Sequence, residues 1–146
     1  MSQRPPERDE LETLLDPLLD FAQQMLRKNG EFFPFGGTIS IDGQVNLTAA
    51  DADDERPASQ DVIDLLASGM RTQAAAGQIR AAAICYDSRF GLEDGAKTDA
   101  IAVSLEHQAG DAVLVMQPYS KGRFTGWKFD QLVAVAPERR VFAAQD

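Results

Sequence analysis

The apolar positions of this chain fall into two helical stripes and a set of strand-like runs. Leu11, Leu14, Leu15, Leu18, Leu19, Ala22, Met25 and Leu26 recur at three- and four-residue steps, the spacing of one helix face. Arg27-Lys28 then Asn29-Gly30 supplies cations to the last turn and a left-handed cap. Pro17 interrupts the stripe without changing its face, which predicts one long helix from about residue 9 rather than a fresh start capped by Asp16. Val62, Ile63, Leu66, Met70 and Ala74 predict a second helix over 59–76, with Ser59 as N-cap and Gly77 as C-cap.

Between and after these stripes the period changes. Phe32 to Ile41 and Val45 to Leu47 flank Asp42-Gly43, a strong hairpin signal that predicts a type I′ turn with both residues at positive φ. Pro34 places the start of that first strand at an edge or bulge. Ile79 to Asp87 is nearly continuous apolar sequence, as expected of a central strand buried on both faces. Ser88 to Lys97 reads as a polar loop. Ile101, Val103 and Leu105 then alternate with Ala102, Ser104 and Glu106, and Gln108-Ala-Gly110 turns the chain into Ala112 to Gln117. Tyr119 to Gly126 is turn-rich, and a weaker apolar segment follows from Trp127 to Val135. Arg140-Val-Phe-Ala adds a short strand or a tail contact.

The predicted order is therefore α-β-β-α-β-β-β. It describes an α+β, two-layer domain with a mostly antiparallel sheet of five to six strands and two main helices. At 146 residues the chain makes one such domain, expected over 9–146, with 1–8 as a flexible N-terminus. The single cysteine, Cys85, permits no internal disulfide, and the first residues lack a signal-peptide core, so a cytoplasmic location is expected. No apolar run approaches the roughly 20 residues that cross a bilayer, and no membrane partner is expected.

Charge changes the picture more than composition does. The net charge of −9 disfavours nucleic acid as a partner. It is unevenly spread: Asp51, Asp53, Asp54, Glu55, Asp61 and Asp64 face only Arg56 within one stretch, whereas Tyr119 to Lys128 holds Lys121, Arg123 and Lys128 and no acid. The acidic loop at 50–58, with Asp53 and Asp54, suits a basic protein partner. It lacks the glycine and closing glutamate of a calcium loop. Tyr119, Lys121, Arg123 and Trp127 interleave aromatics and cations in a manner fit for an anionic ligand. Against that stands a hairpin whose aromatics are core and whose bases reach water.

Catalytic patterns fare worse. Gly91-Leu-Glu-Asp-Gly95-Ala-Lys97-Thr98 has the wrong spacing for a phosphate loop and leads into a strand pattern. Cys85 lies within an apolar run, where burial makes a thiol inert, so a pairing with His107 is disfavoured. Glu106 and His107, with Asp87, Asp99 and Asp111, suggest a cluster at strand ends. One histidine and one cysteine do not furnish a structural zinc site. No metal, cofactor or catalytic set is expected.

Asn29-Gly-Glu31-Phe32-Phe33-Pro34-Phe35-Gly36-Gly37 packs three aromatics and three glycines into one helix-to-strand passage, read first as a packing corner. With Ile84-Cys-Tyr-Asp87, Asp99-Ala-Ile101, Leu105-Glu-His107, Gly110 and Pro118-Tyr119, it resembles a group of small bacterial proteins of uncharacterised function. The resemblance spans about residues 20–130 and implies one α/β domain, with no reaction or catalytic residues attached.

The leading expectation is a binding or protein-interaction module, an immunity-type or regulatory partner protein that engages a basic target or forms a homodimer. The rival is a small enzyme or ligand-binding protein whose site joins Glu106 and His107 to the Tyr119–Trp127 loop.

Overall fold

A computed structural model describes residues 6–49, 59–91 and 95–142. The element order is α1 (Pro6–Asn29), β1 (Phe35–Ser40), β2 (Val45–Ala49), α2 (Ser59–Ala75), β3 (Ile79–Gly91), β4 (Lys97–His107), β5 (Ala112–Gly122), β6 (Gly126–Phe129) and β7 (Val133–Val135). All strand pairings are antiparallel. The sheet runs β2-β1-β3-β4-β5-β6, with β7 also pairing with β5. The class and the expected order of elements hold, with α1 continuous through Pro17. It begins at Pro6, earlier than the expected residue 9; Met1–Pro5 lie outside the described residues, as does the acidic loop at 50–58.

The layering differs from the expected two layers, because the helices lie on opposite faces of the sheet. Leu11, Leu14, Leu15, Leu18, Leu19, Ala22 and Leu26 of α1 pack on Ala81, Ala83, Cys85, Ile101, Val103 and Leu105. Val62, Ile63, Leu66, Ala67 and Met70 of α2 pack on Ile79, Ala82 and Ile84, which point the other way. Beyond α2, the same face is completed by the segment after β7, whose Val141 and Phe142 join the α2 cluster. The small residues of β3, Ala81 to Ala83, suit a strand pressed from both sides.

Both helices come close to β1. A Cβ on Gly36 would lie 2.4 Å from Met70 Cε of α2 and 2.8 Å from the Ala83 carbonyl oxygen. A Cβ on Gly37 would lie 2.9 Å and 3.0 Å from the Cδ1 atoms of Leu18 and Leu14 of α1. Consecutive strand residues face opposite sides, so two adjacent glycines admit one helix each.

Local departures from expectation have local causes. The Asp42-Gly43 hairpin forms, but only Gly43 has positive φ (93°); the Gly43 N–H donates to Ser40 O at 2.9 Å and Ser40 N–H to Gln44 O at 2.9 Å. That is a three-residue loop closed by a left-handed glycine rather than a type I′ turn. The Asp42 carboxylate takes the Ser40 hydroxyl instead of adopting the strained conformation. Pro34 sits just before β1, which is an inner strand. The loop expected over 88–97 is shorter than that: β3 runs to Gly91 and β4 starts at Lys97, with residues 92–94 outside those described. Likewise β5 extends through Tyr119 to Gly122.

Substituting Gly36→Ala is expected to lower the unfolding free energy by about 2–3 kcal/mol, since one of its neighbours is backbone that cannot turn aside. Gly37→Ala should cost about 1 kcal/mol, because only the ends of leucine side chains must move. Urea unfolding of both variants checks the ranking; an equal or reversed order would refute it.

Candidate functional site

Neighbouring strand positions point to opposite faces, and this decides the fate of Glu106 and His107. His107, on the α1 face, is buried; its Nε2 lies 2.8 Å from Glu10 Oε1. Its Nδ1 accepts the Ala109 N–H at 3.1 Å, so Nε2 is the donor toward Glu10. Glu10 Oε2 also accepts from Arg80, whose Nε is 2.7 Å away and whose Nη1 donates to Ile41 O at 2.9 Å. Burial pushes the Glu10 carboxyl up, but hydrogen bonds from His107 and Arg80 outweigh it and hold the group below its ordinary 4.5.

Glu106, on the α2 face, is 2% exposed. Its oxygens accept the backbone N–H groups of Arg140 at 2.9 Å, Val141 at 3.1 Å and Phe142 at 3.1 Å. Around this anchor Arg140 pairs with Glu138 at 2.7 Å, and the Tyr86 hydroxyl donates to Glu138 at 2.7 Å. Burial and the Glu138 hydrogen bond push the Tyr86 phenol up to about 12. Arg71 of α2 donates to Arg140 O at 2.7 Å. One β4 dipeptide thus fastens α1 on one face and the C-terminal segment on the other. Its polar capacity is spent within the chain.

Tyr119 and Trp127 lie at the other end of the sheet. Tyr119 pairs with Asp99 in the β4–β5 ladder, eight residues from His107, or roughly 27 Å along the strand. The expected convergence of Glu106, His107 and this loop therefore does not occur. The buried Tyr119 donates to Asp87 Oδ1 at 2.8 Å, and both burial and that carboxylate push its phenol up. Trp127 and Phe129 stack at 8° beside it, with Lys121 Nζ 5.3 Å from the Trp127 ring and Arg27 5.0 Å from Phe129. The aromatics are largely core, as in the simpler of the two readings; Lys121 and Arg123 remain exposed. Asp53 and Asp54 lie outside the described residues.

The remaining chemistry follows the same pattern. Cys85 is fully buried and its thiol is pushed well up by burial and by Asp87. It sits roughly 14 Å along the sheet from the His107 position, four ladder steps away. Asp111 pairs with Arg8 at 3.0 Å and Asp99 faces Arg89 at 3.8 Å, at opposite ends of the sheet. Among the described residues no group of three or more His, Cys, Asp or Glu side chains is placed to hold a metal ion, and no helix is long and apolar enough to cross a membrane.

Comparison with protein-family models, curated proteins and solved structures finds no match. The site must therefore come from this chain's own surface.

The most unusual surface was not legible from the sequence. β2 is the terminal strand of the sheet, and all five of its residues are exposed. The Ser40–Gln44 bond fixes the phase of the β1–β2 ladder, so Val45, Leu47 and Ala49 turn their own N–H and C=O groups outward. The strand carries no charge, proline or bulge, the usual guards of a free edge. Each face beside it holds a cleft. One of about 490 Å³ is lined by Thr48, Ala49, Leu65, Leu66, Gly69 and Met70. One of about 180 Å³ is lined by Phe21, Phe35, Leu47, Thr48 and Ala49. Val45, Leu47, Phe21 and Leu65 are 38–51% exposed. The Val45 to Leu47 run signals a strand, and the structure extends it to Ala49, but nothing in it marks an edge.

Two measurements test these assignments. Glu106→Ala should lower stability by about 3 kcal/mol, since it strands three backbone donors, and should speed tryptic cleavage after Arg140; unchanged cleavage would dissociate Glu106 from the tail. Because the Glu10 pKa is depressed on folding, its contribution is present above the unfolded value near 4.5 and is lost as pH falls through the lower folded value. The stability gap between the native chain and Glu10→Gln should therefore close on acidification below pH 4.5. A gap independent of pH would refute the coupling.

Proposed function

We propose that this protein is a protein-interaction module that captures an extended segment of a partner along the open edge of β2. The observation that carries this reading is the unguarded edge strand with an apolar cleft on each face. A strand added to β2 would pair with the outward backbone groups of Val45, Leu47 and Ala49. Its side chains alternate between the two faces, so successive residues would enter the Phe21–Phe35 cleft and the Leu65–Met70 cleft in turn.

Charge supports a basic segment as partner. Asp20 adjoins Phe21, Asp64 adjoins Leu65, and Asp42 lies in the β1–β2 turn, all exposed, while the nearby Arg80 is engaged by Glu10. A net charge of −9 speeds encounter with a cationic target. An immunity-type or regulatory partner protein fits this description, and the lone buried Cys85 is at ease in a cytoplasmic setting. A homodimer would use the same edge with a two-fold axis near Leu47, but it would juxtapose like charges.

Leu47→Lys places a charge on the edge and on the rim of one cleft. Since Leu47 is 47% exposed, the fold should keep its stability within about 0.5 kcal/mol. Affinity capture followed by hydrogen exchange should show a partner that protects the amides of Val45, Leu47 and Ala49 and is lost with the lysine variant. A partner retained equally by both chains would refute the reading. Light scattering separates the homodimer from a mixed complex.

A further inference from the structure

The β5–β6 hairpin presents a second surface, remote from β2 at the opposite edge of the sheet. At its tip Phe124 is 93% exposed, the most exposed large apolar residue among those described. Gly126 turns the chain at φ 77°, and the Thr125 side chain folds over Gly122, where an added Cβ would oblige the hydroxyl to turn away. The phenylalanine stands on this tight turn. Behind it stand Lys121, Arg123 and Lys128. Lys97, two residues beyond Asp99, falls in the row of Lys121, two beyond Tyr119. Among the described residues, the acids of this end each lie by a donor or cation: Asp87 by Tyr119, Asp99 near Arg89 at 3.8 Å and Asp130 near Lys128 at 3.8 Å. Glu93 and Asp94 lie outside the described residues.

We infer that this hairpin docks on the surface of an anionic lipid bilayer, with Phe124 entering the interfacial region and Lys121, Arg123 and Lys97 facing the headgroups. An exposed apolar side chain with cations on the flanking positions combines the two contributions, apolar insertion and attraction to anionic headgroups, that hold a peripheral contact. Single-stranded nucleic acid asks instead for a row of open aromatic faces. Here Trp127 is stacked on Phe129 and covered by Lys121, which leaves Phe124 alone. The contact is peripheral and needs no spanning helix.

The net charge of −9 does not prevent it. Strands of 11 residues such as β4 and β5 extend roughly 37 Å. The Debye length at physiological ionic strength is about 8 Å. The acids at the far end of the sheet are thus several screening lengths from the membrane. At very low salt the screening length grows to about 30 Å and their repulsion returns, so binding should be strongest at intermediate ionic strength.

Flotation of the full chain with phosphatidylcholine vesicles, with and without about a third phosphatidylserine, tests this near physiological ionic strength. The native chain should float with the anionic vesicles only. Phe124→Ser should reduce partitioning by about tenfold, and the double variant Lys121→Glu, Arg123→Glu should abolish it, whereas Leu47→Lys should bind as the native chain does. Failure of the native chain to float with anionic vesicles would overturn the proposal. So would equal binding to neutral vesicles or an unaltered Phe124→Ser variant. Binding of a single-stranded oligonucleotide in place of vesicles would assign the hairpin to nucleic acid and overturn it as well.

Discussion

The two helices reach the sheet over β1 and β3, and at β1 two adjacent glycines make room for them. Gly36 faces Met70 of α2 and Gly37 faces Leu14 and Leu18 of α1, so a strand without side chains at two adjacent positions lets both helices reach the sheet. Packing of protein interiors leaves no slack for a methyl group at such a site. The helices are held to β1, β3 and β4 on one face and to β1 and β3 on the other. β2 therefore lies at the margin of both, with helical cover on neither side complete. Its exposure and the clefts beside it follow from how tightly its neighbour is gripped.

Beside the β1–β2 turn, the sheet is tied to its neighbours by polar rather than apolar contacts. Glu106 and His107 are successive residues of β4, yet one gathers the N–H groups of 140–142 and the other meets Glu10 of α1. A buried carboxylate and imidazole in that arrangement are satisfied groups, which a protein interior requires. Their burial resembles that of a catalytic pair, and their geometry does not: the two side chains diverge across the sheet.

The sequence disclosed elements better than their assembly. The leucine stripe of α1 and the alternation of β4 are local, set by the repeat of the backbone itself, and both were legible. The apolar run through Ala81-Ala-Ala83-Ile84-Cys85 already signalled cover on both faces of β3, which sits more easily with helices on opposite faces than with two layers. The turn at Asp42-Gly43 was legible as a hairpin but not in type, because the Ser40 hydroxyl and Asp42 carboxylate settle it. The extension of β3 to Gly91 was hidden by Arg89 and by exposed positions outside the reach of either helix. Partners separated by long stretches, such as Glu106 with Val141 or Glu10 with His107, depend on strand order, which no local pattern encodes. The same holds for the edge position of β2: an inner strand and an outer one can share the sequence Val-Asn-Leu-Thr-Ala.

The two margins of the sheet are also unlike. β5 is bordered by β6 and β7, two short strands along different parts of its length, and β6 carries Lys128. β2 has five uncharged residues in register with an inner strand. If β2 takes up a strand as proposed, the sheet gains one at a margin held in register over five residues, whereas the opposite margin offers the short β6 and β7. Assembly through β2 alone would then close as a pair, with one foreign strand or one second copy, because each chain brings a single such edge.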